Sequence, residues 1–226
     1  MSEELNIEQI NSIRSAKGII FDCDGVLLNS RLANVSFYNN LRKKASLPPL
    51  TEEEEEFVHM STYEQALDYI LQGSKRDNIA NYLEEMEGSF NYYDLLQVEE
   101  GLKPMLGWLM DDGFNLGICT NRLSPLDTFL ARFGLDKYFN PMQTASNSIP
   151  KPSPDGLFKA MEAWRLSPGE VVFIGDSMVD ELAAKEAGVP FWAFKNFTLD
   201  AHLYIPDFPT LEAWLKNYLE LGKNLG

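Results

Sequence analysis

The segment GIIFDCDGVLLNS, residues 18–30, ends an apolar run with two aspartates, Asp22 and Asp24, one residue apart. In an extended strand residues i and i+2 share a face, so both carboxylates would project to the same side where the run meets a turn at Gly25. Two carboxylates that close repel each other unless a cation or a shared proton stands between them. Oxygen ligands of this kind suit Mg²⁺, which keeps several waters and commonly uses one or two carboxylates together with substrate phosphate oxygens. The plainer reading of the same residues is a turn at Asp24 and Gly25 that Asp22 caps.

Other apolar runs also stop at polar residues. GIC leads into Thr120 and Asn121, and VVFI leads into Gly175 and Asp176. Ligands of open α/β sheets bind just outside the carboxyl ends of the strands, so this placement is where a site would be built. Asp180, four residues after Asp176, could flank the same strand-to-helix turn and face one cation; capping and compensation of the helix dipole are the alternative for both acids. Lys151 precedes Pro152, which biases it toward an extended conformation, and stands just before a helix whose N-terminus favours an anion. By itself a loop lysine reads as surface, and Thr120 by itself as a cap or turn residue.

The elements that must position these groups are legible as patterns. KGIIF (17–21), FNLGIC (114–119) and EVVFI (170–174) lack polar alternation, as expected of parallel strands covered on both faces. Ser124 as N-cap, Pro125 in the first helical position and Asp127 as an early acid predict a helix through Phe133 that Gly134 ends. Ser153 and Pro154 repeat the device before DGLFKAMEAW. A helix near 178–187 ends at Gly188, with Pro190 and the run PFWAF beyond it. Strand and helix alternate from about residue 101 onward, which predicts an α/β fold: a Rossmann-like, mainly parallel sheet flanked by helices, with right-handed crossovers.

Residues from about 31 to 99 break that rhythm, with helical stretches such as LANVSFYNNLRKKA and TYEQALDYILQG and no convincing strand. The predicted organisation is an α/β core over 1–30 and 100–226 with an inserted all-helical domain over 31–99, Gly101 and Pro104 marking the return. Thr51 ahead of the acid run Glu52–Glu56 predicts a helix start, with Glu54 closing a capping box and the other acids meeting the positive helix end.

Composition excludes several classes. A chain of 226 residues with 45% hydrophobic content can bury a real core. Its 34 acids against 19 bases, a formal net charge of −15, argue against nucleic acid as a partner. The N-terminus carries no basic start followed by an apolar stretch, and no run reaches the roughly 18–20 apolar residues needed to span a bilayer, so no membrane partner and a cytoplasmic location are expected. Cys23 and Cys119 both end apolar runs and read as reduced, buried thiols rather than a disulfide or a metal site.

Taken in order, FDCDGVLLNS, ICTNR, KPSPD and FIGDSMVDELAAKEAG resemble the haloacid dehalogenase-like superfamily, and the helical insert after the first motif makes the chain similar to its phosphoglycolate phosphatase and β-phosphoglucomutase branch with a helical cap. The resemblance implies a Mg²⁺-dependent phosphatase acting on a small phosphorylated metabolite. In it, Asp22 would be the nucleophile that forms an aspartyl-phosphate, and Asp24 the acid that protonates the leaving oxygen and then activates water. Thr120 and Lys151 would hold phosphoryl oxygens, with Asn121 in support through its side chain or backbone. Mg²⁺ would be bound by the side chains of Asp22 and Asp176 and the main-chain carbonyl of Asp24, while Asp180 orders the surroundings. Pro150 stands where many members have glycine before the lysine, which predicts a changed loop and an unchanged lysine. Cys23, where a bulkier apolar residue is frequent, reads as packing.

Substrate choice is expected from the cap, with His59, Met60 and Tyr63 as candidates, and from Arg122; packing or surface roles are open for each. An intramolecular phosphomutase would use the same nucleophile, and a non-catalytic metabolite-binding member would keep the fold without turnover. Dehalogenation fits poorly because the family's dehalogenases lack an aspartate equivalent to Asp24. Phosphonate cleavage would need a cap lysine, for which Lys43 and Lys44 are the unremarkable choices. Both a monomer and a dimer are compatible with the sequence.

Overall fold

Four apolar stretches form strands because nearly every residue in them is covered: Gly18–Phe21 (β1), Asn115–Cys119 (β4), Val171–Gly175 (β6) and Phe191–Phe194 (β7). Two short strands complete their sheet, Met142–Gln143 (β5) and Leu203–Ile205 (β8), in the order β5-β4-β1-β6-β7-β8, with every neighbouring pair parallel. A computed structural model describes residues 5–60, 63–87, 90–123 and 125–223, excepting the side chains of 59, 60 and 220–223. The chain divides into two units, Met1–Leu28 with Val98–Gly226, and Asn29–Gln97.

In the first unit β1 lies at the centre. Phe21 is in register with Ile118 of β4 on one side and Ile174 of β6 on the other. That alignment carries the residues just past the three strands, Asp22, Thr120 and Asp176, to one edge of the sheet. Helices Ile7–Ser15 (α1), Leu102–Asp111 (α7), Leu126–Ala131 (α8), Asp155–Trp164 (α9), Met178–Ala187 (α10) and Phe208–Lys223 (α11) belong to this unit. Its core packs Ile20 and Phe173 with Leu157 of α9 and Ala183 of α10. Cys119 belongs to the same cluster, where burial pushes its thiol up to about 12; Cys23 is also buried, and both are free thiols. Among the described residues no helix is long and apolar enough to cross a membrane.

The second unit holds Arg31–Lys44 (α2), Glu52–Met60 (α3), Tyr63–Ile70 (α4), Ser74–Asp77 (α5) and Ile79–Met86 (α6). Tyr38, Leu41, Leu67, Ile70 and Met86 form its core. The expected capping box starts α3: the Thr51 N–H donates to Glu54 Oε2 at 2.8 Å, and the Glu54 N–H donates to Thr51 Oγ1 at 3.3 Å. These bonds, with Arg42 donating to Glu54 Oε1 at 2.8 Å, hold the Glu54 carboxyl below the usual range.

Several local expectations are corrected. Pro125 takes the cap position of α8 with extended angles, φ −60° and ψ 105°, and the helix closes at Ala131 instead of Phe133. Its end is a hydrogen-bonded turn reaching Gly134 at φ +65°; Ser124 lies outside the described residues. Pro154 likewise sits one position earlier than expected, at the cap of α9, while Ser153 Oγ accepts from the Asp155 N–H at 3.4 Å. Helix α10 ends at Gly188, φ +67°, as read from the sequence. The interval around 31–99 is bounded by a small ladder that its composition did not reveal: Leu28–Asn29 (β2) pairs with Gln97–Val98 (β3). Two-residue strands are too short for any period to show.

Candidate active site

The ladder between β1 and β6 runs one residue past the strand: the Asp22 N–H donates to the Ile174 carbonyl at 2.8 Å. Asp22 is thereby fixed with only 7% of its surface exposed. Immediately after it the chain turns through Gly25 at φ +78°, in the left-handed region that favours glycine. A Cβ on Gly25 would lie 1.9 Å from Asp176 Oδ2, so the bare backbone there makes room for the carboxylate at the end of β6. Asp176 is held from the other side too, its carbonyl accepting from Asn196 Nδ2 at 2.9 Å.

Asp22, Asp176 and Asp180 each offer a carboxylate oxygen, all within 4.8 Å of one another. Lys151 enters this acid group, its Nζ 2.8 Å from Asp22 Oδ1 and 2.5 Å from Asp180 Oδ1. The other Asp180 oxygen accepts from the N–H of Ser177, at 3.1 Å, and from its hydroxyl, which is the capping box of α10. One fully buried aspartate thus caps a helix and holds the lysine. The Lys151 main chain is clamped in turn: its N–H donates to Asn121 Oδ1 at 2.7 Å, and its carbonyl accepts from Asn121 Nδ2 at 2.9 Å.

Burial raises the Asp22 carboxyl to about 7, with Asp180 and Asp24 adding repulsion and Lys151 opposing the rise. Burial and the neighbouring Asp22 and Asp180 push Asp176 well above its ordinary value. Burial works against the Lys151 ammonium, but the Asp180 and Asp22 charges beside it outweigh that and raise its pKa. Three acids and one lysine therefore leave a local excess of negative charge that a cation would relieve.

Asp24 points elsewhere. Arg122 Nε donates to its Oδ2 at 2.7 Å and Arg122 Nη2 to its Oδ1 at 2.6 Å, a two-pronged ion pair. The guanidinium lies 4.1 Å from the centre of the Phe129 ring, and the Arg122 N–H donates to Thr120 Oγ1 at 3.3 Å. Asp22, Asp24, Thr120, Asn121, Arg122, Lys151, Ser177 and Val179 line one cavity of about 260 Å³.

Asp22, Asp24, Thr120, Asn121, Lys151, Asp176 and Asp180, the residues singled out in the four motifs, thus all lie in this region. The Asn121 amide is engaged at both ends on the Lys151 main chain. Lys151 is a buried residue, not surface. Ser177 and Asn196 were not singled out from the sequence. Ser177 had a local signal, standing three residues before Asp180 as capping boxes do. Asn196 had none, since it lies 20 residues from the group it holds. In the helical unit Tyr63 is exposed, 6.3 Å from the Phe37 ring, and Lys44 pairs with Glu85 at 3.3 Å. The side chains of His59 and Met60 lie outside the described residues.

Fold and site together define an α/β enzyme with an acid and lysine centre at the carboxyl edge of a parallel sheet. The chain belongs to the haloacid dehalogenase-like hydrolases, whose family model matches residues 19–194. It is 31% identical over 182 residues to a Clostridium perfringens protein carrying the provisional name pyrophosphatase PpaX, covering 76% of this chain and 80% of that protein. A phosphoglycolate phosphatase of Yersinia pestis is 25% identical over 190 residues, covering 78% of this chain and 80% of that enzyme. Among solved structures, a subfamily IA hydrolase of this superfamily from Geobacter sulfurreducens superposes with a TM-score of 0.72 at 32% identity, covering 94% of this chain and 97% of that one. The chain is accordingly a hydrolase of the phosphatase kind.

Proposed function

We propose that this phosphatase hydrolyses a small phosphorylated metabolite with Mg²⁺, through an aspartyl-phosphate on Asp22. The observation that carries the reading is the meeting of Asp22, Asp176 and Asp180 with one another and with Lys151 at the strand ends. Donor chemistry fits the metal: the three acids offer oxygen only, which suits Mg²⁺, and two of them are pushed toward protonation without a cation. Asp22, Asp176 and the Asp24 carbonyl would hold the ion. When bound, it would supply charge neutralisation between an anionic nucleophile and an anionic phosphate.

In this reading a carboxylate oxygen of Asp22 attacks phosphorus and the bond from phosphorus to the ester oxygen breaks. Asp24, one of whose oxygens must leave the Arg122 fork to carry a proton in the reacting complex, gives that proton to the departing oxygen. It then takes one from the water that attacks the aspartyl-phosphate, which releases inorganic phosphate and restores the Asp22 carboxylate. Dividing the hydrolysis into two displacements lowers each barrier. The Lys151 ammonium, the Thr120 hydroxyl and the Asn121 backbone N–H orient phosphoryl oxygens, and the clamp from Asn121 fixes where the lysine stands. Asp180 acts through Lys151. Substrate choice is assigned to the helical unit. Two reduced, buried thiols accord with work in the cytoplasm.

A panel of phosphorylated acids, sugars and nucleotides, assayed for phosphate release with Mg²⁺ and with chelator, tests the reading, with Asp22→Asn as the blank. Magnesium-dependent release that the variant lacks is expected. A folded protein that releases no phosphate from any of them refutes hydrolysis, and a sugar phosphate isomerised faster than it is hydrolysed makes the enzyme a mutase.

A further inference from the structure

Asp24 has the chemistry of an acid–base residue but is held by fewer groups than its neighbours. Asp22 is tied to β6 and Lys151, Asp176 is packed on Gly25, and Asp180 is buried in its capping box. The Asp24 side chain is 41% exposed, and Arg122 is its one side-chain partner among the described residues. Arg122, in contrast, is well anchored: its side chain is only 14% exposed, its guanidinium is stacked on Phe129, and its backbone is bonded to the Thr120 hydroxyl. A planar fork that meets both oxygens of a carboxylate fixes the plane of that group as well as its distance, which a lysine in its place would not do.

We propose that Arg122 is a positioning residue for the acid–base step: anchored on Phe129, it holds the Asp24 carboxylate in a single orientation at the rim of the pocket that Asp22 and Lys151 line. Phosphoryl contacts belong to Thr120, Asn121 and Lys151; Arg122 works on the reaction through Asp24. The inference rests on the phosphatase reading above and deepens it, because it names the residue that sets the reach of the group serving the leaving oxygen. It also accounts for the stacking on Phe129, which a guanidinium free to follow a substrate would not need.

Leaving groups separate the possibilities. An alkyl phosphate needs a proton on its departing oxygen, whereas p-nitrophenyl phosphate expels a stable phenolate and needs little help. Single-turnover alcohol release from both esters is compared for the wild type, Arg122→Ala, Arg122→Lys, Asp24→Asn and the Asp24→Asn/Arg122→Ala double variant, with circular dichroism and thermal unfolding to establish that each is folded. The inference expects Arg122→Ala to lower the alkyl-to-aryl rate ratio on the order of tenfold, and Arg122→Lys to recover only part of it. It also expects the Arg122→Ala change to cost the alkyl ester less than about twofold once Asp24 is already asparagine, since residues acting as a unit are not additive. Equal losses on both esters, persisting in the Asp24→Asn background, would assign Arg122 to direct phosphoryl binding and overturn the proposal. An Arg122→Ala variant that loses alkyl and aryl activity in parallel with its melting temperature would overturn it as well. A wild type inert toward every ester sinks the phosphatase reading itself, and the inference with it.

Discussion

The two units place their polar and aromatic residues in opposite ways. In the α/β unit the charged groups lie at the ends of buried strands and are held by several partners at once, so that Lys151 and Asp180 are almost wholly removed from solvent. In the helical unit the apolar core is sealed by Leu41, Leu67 and Ile70, while Tyr63, Tyr69 and Tyr93 stay half exposed; Arg76 pairs along the surface with Glu64 and Asp68, and the buried Arg42 pairs with Glu54. A buried charge without its partner is expensive, so a network like that around Lys151 tolerates little change. An exposed pair contributes little and can be altered freely. The α/β unit thus carries chemistry that must not vary, and the helical unit carries a surface that can.

The sharpest test of that contrast is Asp22→Asn. The amide is nearly the same size as the carboxylate, so the fold is expected to survive, while turnover falls at least ~10³-fold because the proposed nucleophile is gone. Phosphate release within tenfold of the wild type would remove Asp22 from the reaction and leave the acid group merely structural.

Gly25→Ala attacks the same site through its backbone. The new Cβ would stand 1.9 Å from Asp176 Oδ2, at a φ of +78° that alanine already resists. Asp176 has to move, and displacement of such a group by about 1 Å costs on the order of 10²-fold in rate. Raised Mg²⁺ requirement together with lower kcat is the expected signature. A variant of unchanged rate and unchanged metal requirement would mean that Asp176 has no part in holding the ion.

These two residues also mark how far the chain could be read before its structure was known. Asp22 was legible because the information is local: an apolar strand, two acids at spacing two, a turn. The acid groups after β6 were legible for the same reason, and the parallel sheet followed from runs without polar alternation. What escaped were long-range pairings. Nothing near Arg122 announces that it grips Asp24, 98 residues earlier in the chain, and nothing near Asn121 announces that its amide is spent on the Lys151 backbone. The strands β5 and β8 escaped for another reason, since two or three residues cannot display a period. Gly25 could be read as a turn residue, but the closeness of Asp176 that makes it indispensable is a tertiary fact.

A third prediction concerns the cost of assembling the acids. Asp22 has its folded-state pKa raised from 3.8 to about 7. Below pH 4 it is protonated in both states, and its contribution to stability is fully present. As pH rises from 4 to 7 the unfolded chain gives up the proton while the folded protein keeps it, so the contribution is lost progressively, and above 7 it stays lost. The shift corresponds to at most about 4 kcal/mol. In chelator, the stability of the wild type relative to Asp22→Asn should therefore decline between pH 5 and pH 8. Added Mg²⁺ should restore more of the wild type's stability at pH 8 than at pH 5, and much less of the variant's. Denaturant unfolding of both proteins at the two pH values measures this, and parallel curves would show that burial of Asp22 carries no such penalty.

The smallest effect belongs to the helical unit and completes the comparison. Gly73, like Gly25, has a positive φ, here +56° with ψ −137°, a combination almost confined to glycine. Unlike Gly25 it has nothing among the described residues within 4 Å of where a Cβ would stand. Gly73→Ala therefore meets backbone strain of about 1–3 kcal/mol and no collision, offset by about 0.4–1 kcal/mol from the less flexible unfolded chain. The expected result is a modest loss in denaturant midpoint with the phosphatase rate on a minimal aryl ester held within twofold, against the hundredfold loss for Gly25→Ala. If the two alanines cost the same activity, the division between a unit that cannot vary and one that can is wrong, because the geometry around Gly73 would then be as tightly coupled to the chemistry as the loop that shelters Asp176.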